Sequence, residues 1–167
     1  MKARRMRGAY TVEFAITGLL LFVVLFGMLE MGRLFFTINA LNETVRRGAR
    51  LASVCDISDP VVLRRAIFNA ATDSGASSLI NQLDTADLSL VYLDEGGATV
   101  ASPTDTTSVN GFRAIRYVEL RLQNFTFNFL IPGFGGSITL PVFRSTMPRE
   151  SLGRHAEVGV APGITPC

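Results

Sequence analysis

A single apolar block near the N-terminus limits how this chain can fold. Residues 14–29 are sixteen consecutive uncharged residues, and extending the block back across Glu13 to Ala9 gives twenty-one. Because a helix rises 1.5 Å per residue, twenty-one residues span roughly 31 Å, close to the hydrocarbon core of a bilayer at about 30 Å. Residues 9–29 are therefore predicted to form a transmembrane helix that includes Glu13.

A short basic segment, residues 1–8, precedes the apolar block and contains no acidic residue. It holds four of the 16 Lys and Arg residues, and without it the formal net charge changes from +2 to −2. The pI of about 8.8 therefore arises from this segment, and a nucleic-acid partner loses its main support. Because positive residues beside a span stay in the cytoplasm, we predict a cytoplasmic N-terminus and a C-terminal domain beyond the membrane. The four residues are Lys2, Arg4, Arg5 and Arg7.

A secretory signal peptide would begin in the same way, with a basic segment followed by an apolar one. Residues 27–33 read Gly-Met-Leu-Glu-Met-Gly-Arg, however, and contain no Ala-x-Ala cleavage site. An amphipathic pattern follows at once. The sequence therefore predicts that the apolar segment is retained as a helix.

The helical pattern continues beyond the apolar block and predicts one long helix over residues 9–54. Residues 30–54 form its amphipathic part, which needs a partner surface for its apolar stripe. No proline occurs before Pro60. The stripe consists of Leu34, Ile38, Leu41, Val45, Ala49 and Ala52.

The remaining sequence predicts a second, shorter helix and a small antiparallel sheet. Asp59 followed by Pro60 is a helix-start signal for a helix at residues 61–68. Alternating patterns then predict strands at residues 87–93, 112–123 and 137–145, and Pro141 makes the last an edge or bulged strand. The predicted fold class is α+β, with the sheet covering the amphipathic half of the long helix. The predicted regions are a basic leader (1–8), a transmembrane helix (9–29), its extension (30–54), an α+β domain (55–147) and a Pro/Gly-rich tail (148–167).

The sequence contains no pattern typical of an enzyme. Its one histidine, His155, lies in the Pro/Gly-rich tail, and no HExxH, GxSxG, CxxC or glycine-rich phosphate loop occurs. We therefore predict no catalytic site, no metal site and no cofactor.

Glu13 is the one charged residue of the predicted span. A carboxylate costs up to about 2.5–3.5 kcal/mol at the centre of a bilayer and less near the headgroups. Glu13 either lies near the interface and extends its carboxylate toward water, or pairs with a cation inside the membrane. If the chain is cut after Gly8, the amine of Ala9 lies about one helical turn away, and a neighbouring subunit's amine could also neutralise Glu13. The residues alone leave both possibilities open.

Three sequence blocks carry a resemblance to a known family. Residues 7–15 read Arg-Gly-Ala-Tyr-Thr-Val-Glu-Phe-Ala, residues 30–34 read Glu-Met-Gly-Arg-Leu, and residues 46–52 read Arg-Arg-Gly-Ala-Arg-Leu-Ala. The first block resembles the prepilin-peptidase signature of type IV pilins. Together the blocks are similar to TadE-like minor pseudopilins of the tight-adherence (Tad/Flp, type IVc) pilus. Major pilins of that system tend to have tyrosine where this chain has Phe14, so the resemblance favours a minor component.

The resemblance implies a pilin-like fold and a role in the assembly or priming of a Tad-type pilus, in surface attachment. It implies cleavage between Gly8 and Ala9 by a prepilin peptidase, with Glu13 and the adjoining Phe14 setting the register with a neighbouring subunit. The implied partners are a second minor pseudopilin, the major pilin, the inner-membrane assembly platform and membrane lipid. The implied location is the bacterial inner membrane, with the C-terminal domain in the periplasm. The alternative is a signal-anchored periplasmic binding or scaffold domain that joins no filament.

Two cysteines, Cys55 and Cys167, both follow the predicted span and so lie in a compartment that permits disulfides. A bond between them would fasten the end of the chain to the end of the long helix. Free thiols and bonds to another chain are the alternatives, and we predict the intramolecular disulfide.

A phenylalanine-rich stretch is the most apolar part of the sequence outside the span. We predict that it folds over the core face of the sheet. The alternative is an exposed patch that contacts a partner pseudopilin. Its phenylalanines are Phe125, Phe127, Phe129 and Phe134.

Overall fold

Helix α1 (Arg7–Val54) is one unbroken helix of 48 residues in the computed structural model, which describes residues 7–57, 59–130, 136–154 and 163–167. The long helix predicted over residues 9–54 is thus confirmed, and it begins at Arg7, so that Gly8 is helical. From Gly8 to Leu29 the helix is exposed except at two half-buried glycines. From Glu30 onward it packs against the rest of the described chain, which together with this half of α1 is called the head below.

The apolar stripe of α1 faces the core of the head, as predicted. Leu41, Val45, Ala49 and Ala52 are fully buried. Three hydroxyl side chains on the same half of the helix are also buried, and each donates to the helix backbone. The Thr44 hydroxyl donates to the Ala40 carbonyl at 3.0 Å. The stripe therefore closes one side of the core without leaving this hydroxyl unsatisfied.

The main sheet is antiparallel, with strand β2 (Tyr117–Leu122) between β1 (Leu88–Leu93) and β5 (Phe143–Pro148). The predicted strand at residues 112–123 is wrong at its start, where residues 112–114 form a 3₁₀ turn. The Arg149 guanidinium donates to the Phe112 carbonyl at 2.9 Å, so this carbonyl is satisfied by a side chain instead of a neighbouring strand. The fold class is α+β, as predicted.

A second, two-stranded sheet consists of β3 (Thr126–Asn128) and β4 (Ser137–Thr139). It lies beside α1 near Arg33. The single strand predicted at residues 137–145 is therefore wrong, since it is two strands that belong to different sheets. The break falls at residues 140–142, because Pro141 has no N–H to donate to a ladder. Both resulting strands are edge strands, as Pro141 predicted, and the sequence did not predict β3.

Helix α2 (Val61–Ala66) is shorter than the predicted 61–68. The Asp59 carboxylate accepts from the Val61 N–H at 2.8 Å, which is the capping role predicted for it. The helix ends because Phe68 has a positive φ of 68°, a conformation that cannot continue a right-handed helix. Val62 and Ala66 face the core.

The chain after β5 covers the C-terminal end of α1. Backbone N–H groups of Glu150 and Leu152 donate to the Ser53 carbonyl at 3.1 and 3.2 Å, and that of Gly153 donates to the Val54 carbonyl at 2.7 Å. These bonds satisfy carbonyls that a helix end leaves free. Gly153 has a φ of 73°, and a Cβ there would lie 2.7 Å from the Asp56 nitrogen, so the position requires glycine.

The predicted disulfide between Cys55 and Cys167 is confirmed, with the two Cα atoms 5.6 Å apart. The Cys167 N–H donates to the Asp59 carboxylate at 2.7 Å, which holds the last residue beside the start of α2. His155 lies outside the described residues.

Gly48 is the point of closest approach between α1, α2 and the main sheet. A Cβ at this position would overlap the Leu120 side chain and lie 2.8 Å from the Ala66 Cβ. Residue 48 therefore lies where the helix has no room for a side chain.

We expect Gly48→Ala to lower the free energy of unfolding by a net ~1–2 kcal/mol. Overpacking a core costs about 1–3 kcal/mol, and the higher helix propensity of alanine recovers up to about 1 kcal/mol. Gly32→Ala is the matched control, because a Cβ there meets nothing within 4 Å. Urea unfolding of the full-length variants in detergent measures both, and equal stability of the two would contradict the close packing at Gly48.

Candidate functional site

The exposed half of α1 is the most unusual surface of the molecule. Its apolar window has a mean hydropathy of 2.4, and 0% of that window is buried. Side chains as large as Phe22 and Leu21 are 55% and 65% exposed. A surface of this kind is unstable in water and suits a hydrocarbon environment. One apolar N-terminal helix of this length suggests a membrane anchor.

Gly8 and Ala9 lie in the first helical turn of the described chain, and both are exposed. A Cβ placed on Gly8 would meet nothing within 4 Å. The two residues predicted to flank a cleavage site are thus uncovered by the rest of the described chain.

Glu13 and Phe14 are also exposed, and Phe14 reaches 80%. No residue of the described ranges forms an ion pair with Glu13. The Thr17 hydroxyl donates to the backbone carbonyl of Glu13 at 2.9 Å and not to its carboxylate. Within one chain, therefore, nothing described neutralises the carboxylate of this apolar helix.

An ion pair with a buried carboxylate lies where α1 meets the β3 region. Glu30, the first residue after the apolar block, is only 6% exposed and pairs with Arg33 one turn later. The Leu130 N–H donates to the Glu30 carboxylate over 3.4 Å, and the Arg33 guanidinium lies 5.2 Å from the centre of the Phe127 ring. Both contacts connect α1 to the β3 region, about 100 residues away in sequence. The Glu30–Arg33 spacing was visible in the sequence, but its partners were not.

The block at residues 46–52 places small residues inward and arginines outward. Gly48, Ala49 and Ala52 allow α1 to approach β2 and α2 closely. The Arg47 guanidinium lies 5.5 Å from the centre of the Phe68 ring, which connects the helix to the end of α2. Like the pair at Glu30, this block therefore fixes α1 to the rest of the head.

The phenylalanine-rich stretch is mainly part of the core. Phe125 and Phe127 are 4% and 3% exposed, and Phe129 is half-buried with its ring edge-to-face against Phe127 at 5.5 Å. The predicted fold over the core is thus observed. The alternative of an exposed partner patch is wrong for Phe125 and Phe127, because these side chains pack under α1. Phe134 lies outside the described residues.

Glu119 of β2 is a buried carboxylate in the main sheet. It is 5% exposed, and it pairs with Arg121 and accepts from the Thr146 hydroxyl at 2.8 Å. Burial disfavours its charged form, but these hydrogen bonds and the charges of Arg121 and Arg144 outweigh burial and hold the pKa of Glu119 below its ordinary value. The group is a satisfied structural charge that spans β2 and β5.

The described part of the chain contains no group of three or more His, Cys, Asp or Glu side chains arranged to hold a metal ion. A cleft of about 530 Å³ lies between α1 and residues 79–82, with Arg33, Phe36 and Gln82 in its lining. No pair of titratable groups in that lining has the nucleophile–base arrangement of a hydrolase.

The family model described as TadE-like protein matches residues 8–50 of this chain. The match confirms the sequence resemblance over that stretch, which is α1 from the predicted cleavage site to within one turn of its end. No curated protein and no solved structure matches the chain.

Proposed function

We propose that this protein is a minor pseudopilin that takes part in the assembly or priming of a Tad-type pilus. The observation that carries the proposal is the exposed apolar half of α1, within the stretch that matches TadE-like proteins, where the carboxylate of Glu13 has no ion-pair partner among the described residues. Such a helix serves first as a membrane anchor and then as a surface against which other apolar helices pack. The protein is thus a structural component of a pilus system that interacts with other pilus components.

The proposed location is the bacterial inner membrane, with the N-terminus in the cytoplasm and the head in the periplasm. The basic residues of segment 1–8 support this orientation, because positive charge is retained on the cytoplasmic side. The disulfide supports it too, because the periplasm is oxidising and the cytoplasm is not.

The proposed processing step is hydrolysis of the peptide bond between Gly8 and Ala9 by a prepilin peptidase. Both residues are exposed at the start of the described helix, so no other part of the described chain covers the bond between them. Cleavage would remove the basic leader and create a positive amine near Glu13. The proposed partners of the processed chain are a second minor pseudopilin, the major pilin and the inner-membrane assembly platform.

The connection between α1 and the rest of the head supports a structural role. The ion pair at Glu30, the close packing at Gly48 and the disulfide fix the head along one continuous helix. A force or a position imposed on the apolar half is therefore transmitted to the head. This property suits a subunit that is placed by its helix.

Mass spectrometry of the mature protein tests the processing step. In cells that carry the pilus system, we expect the first residue to be Ala9, with residues 1–8 absent. Gly8→Val should block cleavage by adding a β-branched side chain at the cut, whereas Gly18→Val adds the same side chain inside the apolar helix and should leave cleavage unchanged. A wild-type protein with its leader intact would instead support the signal-anchored periplasmic domain.

A further inference from the structure

We propose that the end of the head next to the apolar half of α1 lies in the interfacial region of the bilayer and contacts lipid directly. This surface, called the head base here, consists of Met31, Phe35 and Phe36 of α1 together with Leu130, two residues after β3. The proposal goes beyond a role in the pilus and rests only on residues 9–29 spanning the membrane.

The unbroken course of α1 sets the depth of the head base. Phe36 follows Leu29 by seven residues, which places its Cα about 10 Å beyond the end of the apolar block. The headgroup region extends about 5–8 Å beyond the hydrocarbon on each side. Helical side chains tilt toward the N-terminus, so the rings of Phe35 and Phe36 reach back toward the membrane. Leu130 lies at the level of Glu30, to which its N–H donates.

The head base exposes large apolar side chains where the head itself offers no cover. Met31 is 48% exposed, Phe35 61%, Phe36 54% and Leu130 69%. In water these groups would leave a large apolar area hydrated, whereas in the interface they become buried among headgroups and upper acyl chains. The exposure of these side chains is therefore favourable in the membrane interface, where their depth places them.

The arrangement of these side chains around the helix favours lipid over a partner protein. Successive helical residues are about 100° apart, so Phe35 and Phe36 point to different sides. Leu130 lies on the side of Glu30, and together the positions cover about 240° around the axis. A single partner subunit would cover one face of a helix, but a bilayer surface surrounds it.

The charges at this level do not oppose contact with the membrane. Glu30 and Arg33 are the charged residues of α1 between Glu13 and Glu43. They pair with each other, and the Glu30 carboxylate is also covered by the Leu130 N–H. The head base therefore presents no unpaired carboxylate, and the half-exposed Arg33 is suited to a phosphate-rich interface.

Tryptophan fluorescence tests the proposal, because the chain contains no tryptophan and a single one reports its own position. The full-length variant Leu130→Trp would be placed in phosphatidylcholine–phosphatidylglycerol vesicles with brominated acyl chains. The control is Val109→Trp. Val109 is 72% exposed, and it lies near Phe112, which belongs to the same core cluster as Cys55 at the other end of the head. We expect quenching at least threefold stronger at position 130 than at position 109, together with a blue-shifted emission at position 130.

Co-flotation with the vesicles shows in the same sample that α1 is inserted. An inserted Leu130→Trp that is quenched no more than Val109→Trp overturns the proposal and leaves the pilus function untouched. A blue-shifted but unquenched tryptophan also overturns it, since protein and not lipid would then cover the site. If Leu130→Trp fails to form the disulfide, Phe36→Trp makes the same test on the other side of the helix.

Discussion

Glu13→Ala should reduce the amount of this protein in pili or in its assembly complex more than 100-fold, while the protein stays in the membrane. Glu13 is exposed and unpaired within the described chain, and it is the one charged residue between Gly8 and Leu29 of α1. In the proposed assembly, a neighbouring subunit's N-terminal amine neutralises it. Removing one partner of such a desolvated pair costs about 3–5 kcal/mol, because the other charge stays buried and unpaired.

Quantitative detection of the protein in sheared pili and in isolated membranes measures both parts of this prediction. Thr11→Ala is the matched control, since it changes an exposed polar side chain in the same apolar helix. Glu13→Gln keeps the shape and removes the charge, so it should fail like Glu13→Ala. If Glu13→Gln assembles normally, pairing is not the role of Glu13, and the carboxylate only extends toward the headgroups.

Loss of the disulfide should lower the free energy of unfolding of the head by about 4–5 kcal/mol. The bond closes a loop with a sequence separation of 112 residues, and in the chain-entropy model the cross-link removes about that much entropy from the unfolded chain. The double variant Cys55→Ser/Cys167→Ser shows the loss directly. Much of a marginal stability of about 5–15 kcal/mol would disappear with the bond.

Urea unfolding of the full-length protein in detergent, with and without reductant, measures this loss. Each single serine variant removes the same bond, so each should be about as unstable as the double variant and as the reduced wild type. Losses from the two single variants that add up in the double variant would show that the side chains, and not the bond, stabilise the head. A wild-type protein whose free energy of unfolding is unchanged by reductant would also contradict the prediction.

The elements that the sequence predicted well are those with a local pattern. Helix α1 follows from an apolar block and a stripe at helical spacing, both of which are visible along the chain itself. Strand β1 and the core of β2 follow from alternation, and Val118, Leu120 and Leu122 are fully buried as that alternation requires. The start of α2 follows from Asp59 and Pro60. In each case the signal and the structure occupy the same few residues.

Elements defined by distant contacts were missed or misplaced. Strand β3 is three residues long, too short for a pattern, and exists because β4 pairs with it and α1 covers Phe127. Glu119 alternates correctly with its neighbours yet is buried, because Arg121 and Thr146 enclose it. The division of residues 137–145 at Pro141 required two separate sheets on either side of it.

The sequence by itself therefore determined the apolar helix, the stripe, the α+β class and the residues at the start of α1, because these depend on composition and spacing within one helix or strand. Only the tertiary structure decided which side chains fix the lower half of the head's α1 segment, at Glu30 and Arg33, to the rest of the head. Glu30 with Leu130 and Arg33 with Phe127 are pairs separated by about 100 residues. No local period encodes such a pair, since its energy arises only after the chain has folded back and brought the two members together.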